Sequence, residues 1–233
     1  CRVTPTIHVQ WITRCVIIDQ WYENRYLFDK YDIKATFFIT RPHLLDAASI
    51  TKLLELQAAG HEIACHGYNH KDIAAYKDSM DKYVQQEIIP AIELLTNMGF
   101  HIRSFAYPYG HGTPATDTLL LKYFKYIRKS MWNYRHTRLK NYNEIFANKL
   151  THNIISSMGI DHNYRISLPS FRSGVIRAKE KGEVLILNAH NISKECNEEY
   201  CIPVSYLEEL YKICKSNRIK SITIRELESY YLD

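Results

Sequence analysis

Short apolar runs alternate with amphipathic stretches along most of this 233-residue chain. Cys15-Val16-Ile17-Ile18 reads as a first buried strand, followed by a helical stretch to about Tyr31. Ala35-Thr36-Phe37-Phe38-Ile39, β-branched and aromatic, predicts a second strand. Residues 47–59 place Ile50, Leu53, Leu54 and Gln57 at helical spacing and stop at Gly60, a helix-end signal. Glu62-Ile63-Ala64-Cys65 predicts a third strand. Met80, Val84, Ile88, Ile92 and Leu95 form one stripe of a helix over 79–98, with Gly99 after it. Ile102 to Ala106 predicts a fourth strand that runs into the turn Pro108-Tyr109-Gly110. Later, Val184 to Leu187 is an apolar strand, Val204, Leu207, Leu210, Tyr211 and Cys214 share a helix face, and Ile219 to Ile224 reads as a last strand. Residues 129–168 lack clear periodicity and read as loops and irregular strands over one end of the fold.

Repeated β–α alternation implies parallel strands with helices outside. The expected architecture is an α/β fold, a distorted (β/α) barrel of about seven parallel strands. No repeat or low-complexity linker divides the chain, so residues 1–233 read as one domain, with 1–12 an N-terminal extension. Apolar residues at 46% and charged residues at 24% exclude a disordered chain. The net charge of +5 is mild and its basic residues are scattered, which gives no nucleic-acid footprint.

No run of about 18 apolar residues is present, so no spanning helix is expected. There is no signal peptide, as would hold for a mature form. Cys1 is open to two readings, a lipid anchor on a processed lipoprotein or an arbitrary chain boundary; the first would place the protein at the cell envelope or outside the cell. Cys196 and Cys201 flank a short loop and could pair in an exported protein, whereas Cys15, Cys65 and Cys214 lie in apolar patterns and read as buried thiols. Eighteen tyrosines suit either a sugar-binding groove or the edge of the core.

Chemically capable residues follow the predicted strands: Asp19 the first, His66 and His70 the third, Tyr107 to Gly110 the fourth, His190 the late one. Loops at the carboxyl ends of parallel barrel strands share one face, so these residues can converge. His66 and His70, four apart on an expected helical turn, can present two imidazoles to one zinc-type ion. The plain alternative is a capped helix start with solvated histidines.

His66-Gly67-Tyr68-Asn69-His70 resembles the H-x-x-x-H metal motif of the polysaccharide deacetylase family, also known as the NodB-homology or carbohydrate esterase 4 family. Ile17-Ile18-Asp19-Gln20-Trp21 followed by Lys34-Ala35-Thr36-Phe37-Phe38 is similar to that family's T-F-D-D-G and K-A-T-F-F pair. Ser104-Phe105-Ala106-Tyr107-Pro108-Tyr109-Gly110 resembles its third motif, and Leu185-Ile186-Leu187-Asn188-Ala189-His190 its last. The resemblance runs in family order from about residue 13 to 225. It implies a metal-dependent hydrolase that removes acetyl groups from an N-acetylated polysaccharide or glycan. It further implies a divalent metal, zinc first, on His66, His70 and Gln20, with Asp19 as general base, His190 as general acid and the Tyr109 N–H aimed at the oxyanion.

Three departures stand against full activity. Gln20 occupies the place of a metal-binding aspartate, and a neutral amide is a poorer donor to a divalent ion. Ala106 replaces the arginine that orients the base, and Arg103 lies three residues earlier. The motif that backs the last histidine is unrecognisable, with Trp132 as its candidate. The alternative reading is therefore a catalytically weakened or inactive carbohydrate-binding homologue that has lost the metal. A metal-stapled structural loop is the third.

Overall fold

The computed structural model describes residues 6–10, 15–131, 138–148 and 153–232. Trp132 and Cys1 lie outside the described residues. In chain order the elements are β1 (Thr6–Gln10), α1 (Cys15–Glu23), α2 (Tyr26–Tyr31), β2 (Ala35–Ile39), α3 (Ala47–Ala58) and β3 (Glu62–Cys65). A nearly continuous helical run follows, made of α4 (Met80–Tyr83), a π-helical turn (Val84–Ile88) and α5 (Ile89–Asn97). Then come β4 (Ser104–Ala106), α6 (Pro114–Leu120), β5 (Tyr126–Ser130), β6 (Phe146–Ala147), β7 (Ile154–Gly159) and α7 (Leu168–Lys181). The chain closes with β8 (Val184–Ala189), β9 (Asn191–Ser193), β10 (Cys201–Pro203), α8 (Val204–Ser216) and α9 (Leu227–Leu232).

Seven parallel strands run β1-β2-β3-β4-β5-β7-β8, and β8 pairs back onto β1 to close the barrel. The short β6 lies antiparallel on β8. Both faces of β2, β3, β4 and β8 are buried, as a sheet wrapped in helices demands. Phe38, Ala64, Ala106 and Ile186 pack together with Ile222, Ile224 and Leu227 inside the barrel. Their neighbours Phe37, Cys65, Phe105 and Leu187 pack outward against Trp21, Leu53, Leu95 and Leu207 of the helices. Among the described residues no helix is long and apolar enough to cross a membrane.

Two predicted strands are corrected. Cys15-Ile18 is the start of helix α1, and the first strand is Thr6–Gln10, inside the stretch expected to be an extension. A short apolar run does not distinguish strand from helix, and here Ile18, Trp21 and Tyr22 supply the i, i+3, i+4 stripe that buries α1. Ile219–Ile224 forms no strand either. Its backbone bonds to side chains at the amino end of the barrel: the Ile224 amide donates to Thr36 Oγ1 at 3.0 Å and the Arg225 amide to Glu62 Oε2 at 2.9 Å. Glu62, fully buried, also accepts from the Thr36 and Ser104 hydroxyls at 2.9 and 2.6 Å. The segment is thus a plug for the bottom of the barrel, with Ile222 and Ile224 turned inward. Conversely, the aperiodic stretch 129–168 contains β7, whose Ile155 and Met158 face a core on both sides and leave no alternation to read.

Candidate functional site

The carboxyl ends of the strands form one mouth, and several predicted site residues meet there. His66 directly follows β3 and is fully buried. Its backbone amide donates to Ile39 O at 2.8 Å and its Nδ1–H to Ala106 O at 2.8 Å, which leaves Nε2 as the nitrogen with a lone pair. The ring of His70 lies 4.8 Å away, centroid to centroid. The segment between them is a loop and not the expected helical turn, with left-handed backbone at Gly67 (φ 86°) and His70 (φ 60°). Burial drives both imidazoles to the neutral form, His66 well below the usual histidine range and His70 down to about 4. Neutral imidazole is the form that can donate a lone pair, and the buried Nε2 of His70 has no hydrogen-bond partner.

The loop is held by a residue that no motif flagged. Glu87, on the π-helical turn, is fully buried and accepts from the Asn69 amide (2.8 Å), Asn69 Nδ2 (2.9 Å) and the Lys71 amide (3.3 Å). Its carbonyl accepts from the Tyr68 amide at 3.0 Å. A π turn at this point rotates Glu87 towards the loop, a local irregularity often found at functional sites.

Tyr109 follows β4 in a tight turn, at φ 59°, with its ring 5.0 Å from His70. That turn is pinned by Tyr107, whose buried hydroxyl bonds to Thr116 Oγ1 (3.0 Å) and Asp117 Oδ1 (2.9 Å); Lys129 pairs with the other Asp117 oxygen. A Cβ on Gly112 would collide with the pinned Tyr107 ring. Gly112→Ala is expected to cost about 1–3 kcal/mol in chemical denaturation; a loss below about 0.5 kcal/mol would show that the turn is not pinned.

His190 follows β8. Its Nδ1–H donates to Asp161 Oδ2 at 2.7 Å and its amide to Asp161 Oδ1 at 2.9 Å, and Asp161 is fully buried. Asp161 comes from the aperiodic stretch and fills the backing role for which Trp132 was the candidate. The one local signal was an acidic residue beside apolar Ile160. His190 lies close enough to lower the pKa of both His66 and His70.

Asp19 and Gln20 sit differently from the expectation, since both belong to helix α1 and not to a strand end. Asp19 is tied to Lys52 of α3 at 2.6 Å. The Gln20 Oε1 is buried without a hydrogen-bond partner. The strand that does occupy the first position ends at Gln10, one residue past the pair Val9–Ala189 and so level with His190. No aspartate or glutamate occurs anywhere in residues 1–18. Among the described residues no third His, Cys, Asp or Glu joins His66 and His70 in a group able to hold an ion. Arg103 points to the other end of the barrel, 3.9 Å from Glu228. A second cation missed by sequence, Arg128 of β5, is buried inside the barrel over the Phe38 ring and also depresses the His66 pKa.

The donor set tests whether a catalytic ion fits. Catalytic zinc sites use three protein ligands. The described residues bring two imidazoles together, and the further donor expected for them, the Gln20 amide, is a weak ligand for a divalent ion. Among the described residues the donor set does not fit a catalytic divalent ion.

Comparison with known proteins agrees with the geometry. Residues 21–126 match the sequence family described as polysaccharide deacetylase. A peptidoglycan deacetylase of Helicobacter pylori (strain ATCC 700392 / 26695) is 30% identical over 109 residues, covering 46% of this chain and 36% of that protein. The chain therefore matches about a third of the length of this curated relative. The chitin deacetylase of the fungal pathogen Colletotrichum lindemuthianum superposes with a TM-score of 0.60 at 15% identity, covering 97% of this chain and 87% of that one. A CE4 family pseudoenzyme from Bacillus anthracis gives 0.60 at 14%, covering 97% and 65%.

Residues 21–126 are thus similar to the polysaccharide deacetylase family, and the barrel of parallel strands is the fold that the solved chitin deacetylase shares. The matched segment, just under half of the chain, holds His66, His70 and Tyr109 but begins after Asp19 and Gln20.

Proposed function

We propose that this chain binds an N-acetylated glycan across the mouth of the barrel and is a catalytically weakened member of its family. One observation carries the reading: the carboxylate expected to serve the histidine pair is on an outer helix, tied to Lys52. What persists is the binding half of the apparatus. His190, held by Asp161 through Nδ1, keeps Nε2 for hydrogen bonding to a sugar amide or hydroxyl. The exposed ring of Tyr109 offers an apolar face beside His70. Among the described residues no carboxylate beside the histidine pair is placed to take a proton from an attacking water, so the base expected at Asp19 is missing from the cluster. A glycan substrate class is supported by the family and by the names of the two deacetylase relatives.

Titration calorimetry with chitotetraose, with and without EDTA, tests the reading. The expected result is binding that the chelator leaves unchanged, together with no acetate release above the uncatalysed background. Stoichiometric zinc with EDTA-sensitive acetate release would overturn it in favour of an intact metal-dependent deacetylase.

A further inference from the structure

Beyond β8 the chain builds a small strap over the mouth. β9 and β10 pair in parallel, Asn191 with Cys201 through Ser193 with Pro203, and the residues between them project outward, Lys194, Glu195 and 197–199 being exposed. Its base is anchored by Ile192, Cys201 and Ile202, all buried. A disulfide joins Cys196 to Cys201 across the strap, with Cα atoms 5.5 Å apart. The His162 ring, next to Asp161, bonds the Cys201 carbonyl at 3.1 Å, so the strap and the Asp161 loop are one unit.

Tyr200 stands at the turn into β10. Its carbonyl accepts from the Asn191 amide at 2.9 Å and its backbone is left-handed, φ 58°. That conformation is uncommon for an aromatic residue and costs on the order of 1 kcal/mol or more, so the surroundings must enforce it. The result is a ring 5.0 Å from His190, edge to face. His70 and Tyr109 are likewise left-handed, so three of the seven non-glycine residues in this region among those described surround one mouth. β4 and β8 are not neighbours in the closed order, being separated by β5 and β7 one way and by β3, β2 and β1 the other. Tyr109 beside His70 and Tyr200 beside His190 therefore stand on different sides of the opening. Next to Tyr200, the buried Asn191 Oδ1 lacks a hydrogen-bond partner and is an acceptor waiting for a donor.

We propose that Tyr200 is a specificity-determining residue, a stacking platform for a second sugar ring of an N-acetylated oligosaccharide, held in position by the Cys196–Cys201 disulfide. The assignment rests on the glycan-binding reading. Tyrosine presents a broad apolar ring that suits the C–H face of a pyranose, and the strap has already met the cost of ordering it.

Calorimetric titration with N-acetylglucosamine and chitobiose tests this on wild type, Tyr200→Ala, Tyr200→Phe and the double variant Cys196→Ser/Cys201→Ser. Wild type is expected to bind the disaccharide about tenfold tighter than the monosaccharide. Tyr200→Ala should lose that gain while keeping the monosaccharide affinity, Tyr200→Phe should keep it, and the double serine variant should lose most of it. A merely structural role for Tyr200 would weaken both sugars alike and would refute the subsite. Tyr200→Leu, which keeps bulk without a ring face, replaces Tyr200→Ala should the latter melt early, with the same reading. Binding of the disaccharide with the full gain over the monosaccharide in Tyr200→Ala overturns the subsite alone. Failure of wild type to bind either sugar overturns the glycan reading and the subsite together.

Discussion

Glu87→Ala is expected to lower the free energy of unfolding by about 3–5 kcal/mol, a large effect for a residue that touches no predicted site side chain except through the loop. Three donors lose their acceptor at once, the Asn69 and Lys71 amides and Asn69 Nδ2. The site is fully buried, so water does not simply replace the carboxylate. The loop from His66 to His70 carries two left-handed residues and has few bonds of its own, so its geometry is imposed by Glu87. Glu87→Gln, which keeps one acceptor oxygen, should lose roughly half as much. Urea denaturation of the three proteins checks the order; a loss within about 1 kcal/mol for Glu87→Ala would show that another group holds the loop.

Acidification provides the second large effect. His61 is buried at the foot of β3, with its ring 4.8 Å from Phe28 and 5.6 Å from Phe37. Its Nδ1 accepts from the Ala35 amide at 3.1 Å, which requires that nitrogen to be unprotonated. Burial, reinforced by the Lys34 charge, lowers its pKa from 6.5 to about 4. A folded-state pKa below the unfolded value means that the unfolded chain binds the proton more tightly. The stability contribution is therefore complete above pH 6.5 and is lost as the pH falls towards 4. The loss from His61 alone is about 3 kcal/mol over that window. His66 and His70 act in the same direction. His61→Gln retains an acceptor and cannot titrate, so its stability should fall less steeply over the same range. Parallel acid limbs for the two proteins would show that His61 is not the group responsible.

Much of the barrel was legible along the chain because parallel strands buried on both faces are short, continuous and apolar. β2, β3 and β8 were read within a residue or two. The failures share a cause. Cys15–Ile18 and Ile219–Ile224 are as apolar as strands, yet one packs as a helix against α3 and the other seals the barrel floor through Thr36 and Glu62. Apolarity reports burial, not which backbone partners the segment finds.

The site divides in the same way. His66, His70, Tyr109 and His190 stand next to strands or turns whose pattern is local, so their neighbourhood was readable from order and spacing. Asp161 and Glu87 act from 29 and 18 residues away from the groups they hold, with no periodic signal to mark them. The disulfide between Cys196 and Cys201, five residues apart, was open to reading as a pairing, but the posture of Tyr200 over His190 was not.

By itself the amino-acid sequence determined the barrel class, the histidine pair and the lack of an acidic residue at positions 1–18, because these depend on residue identity and local pattern. Only the tertiary structure decided that Asp19 faces Lys52 and that Asp161 backs His190, because a carboxylate is committed by whichever cation or donor the folded chain brings within hydrogen-bonding reach.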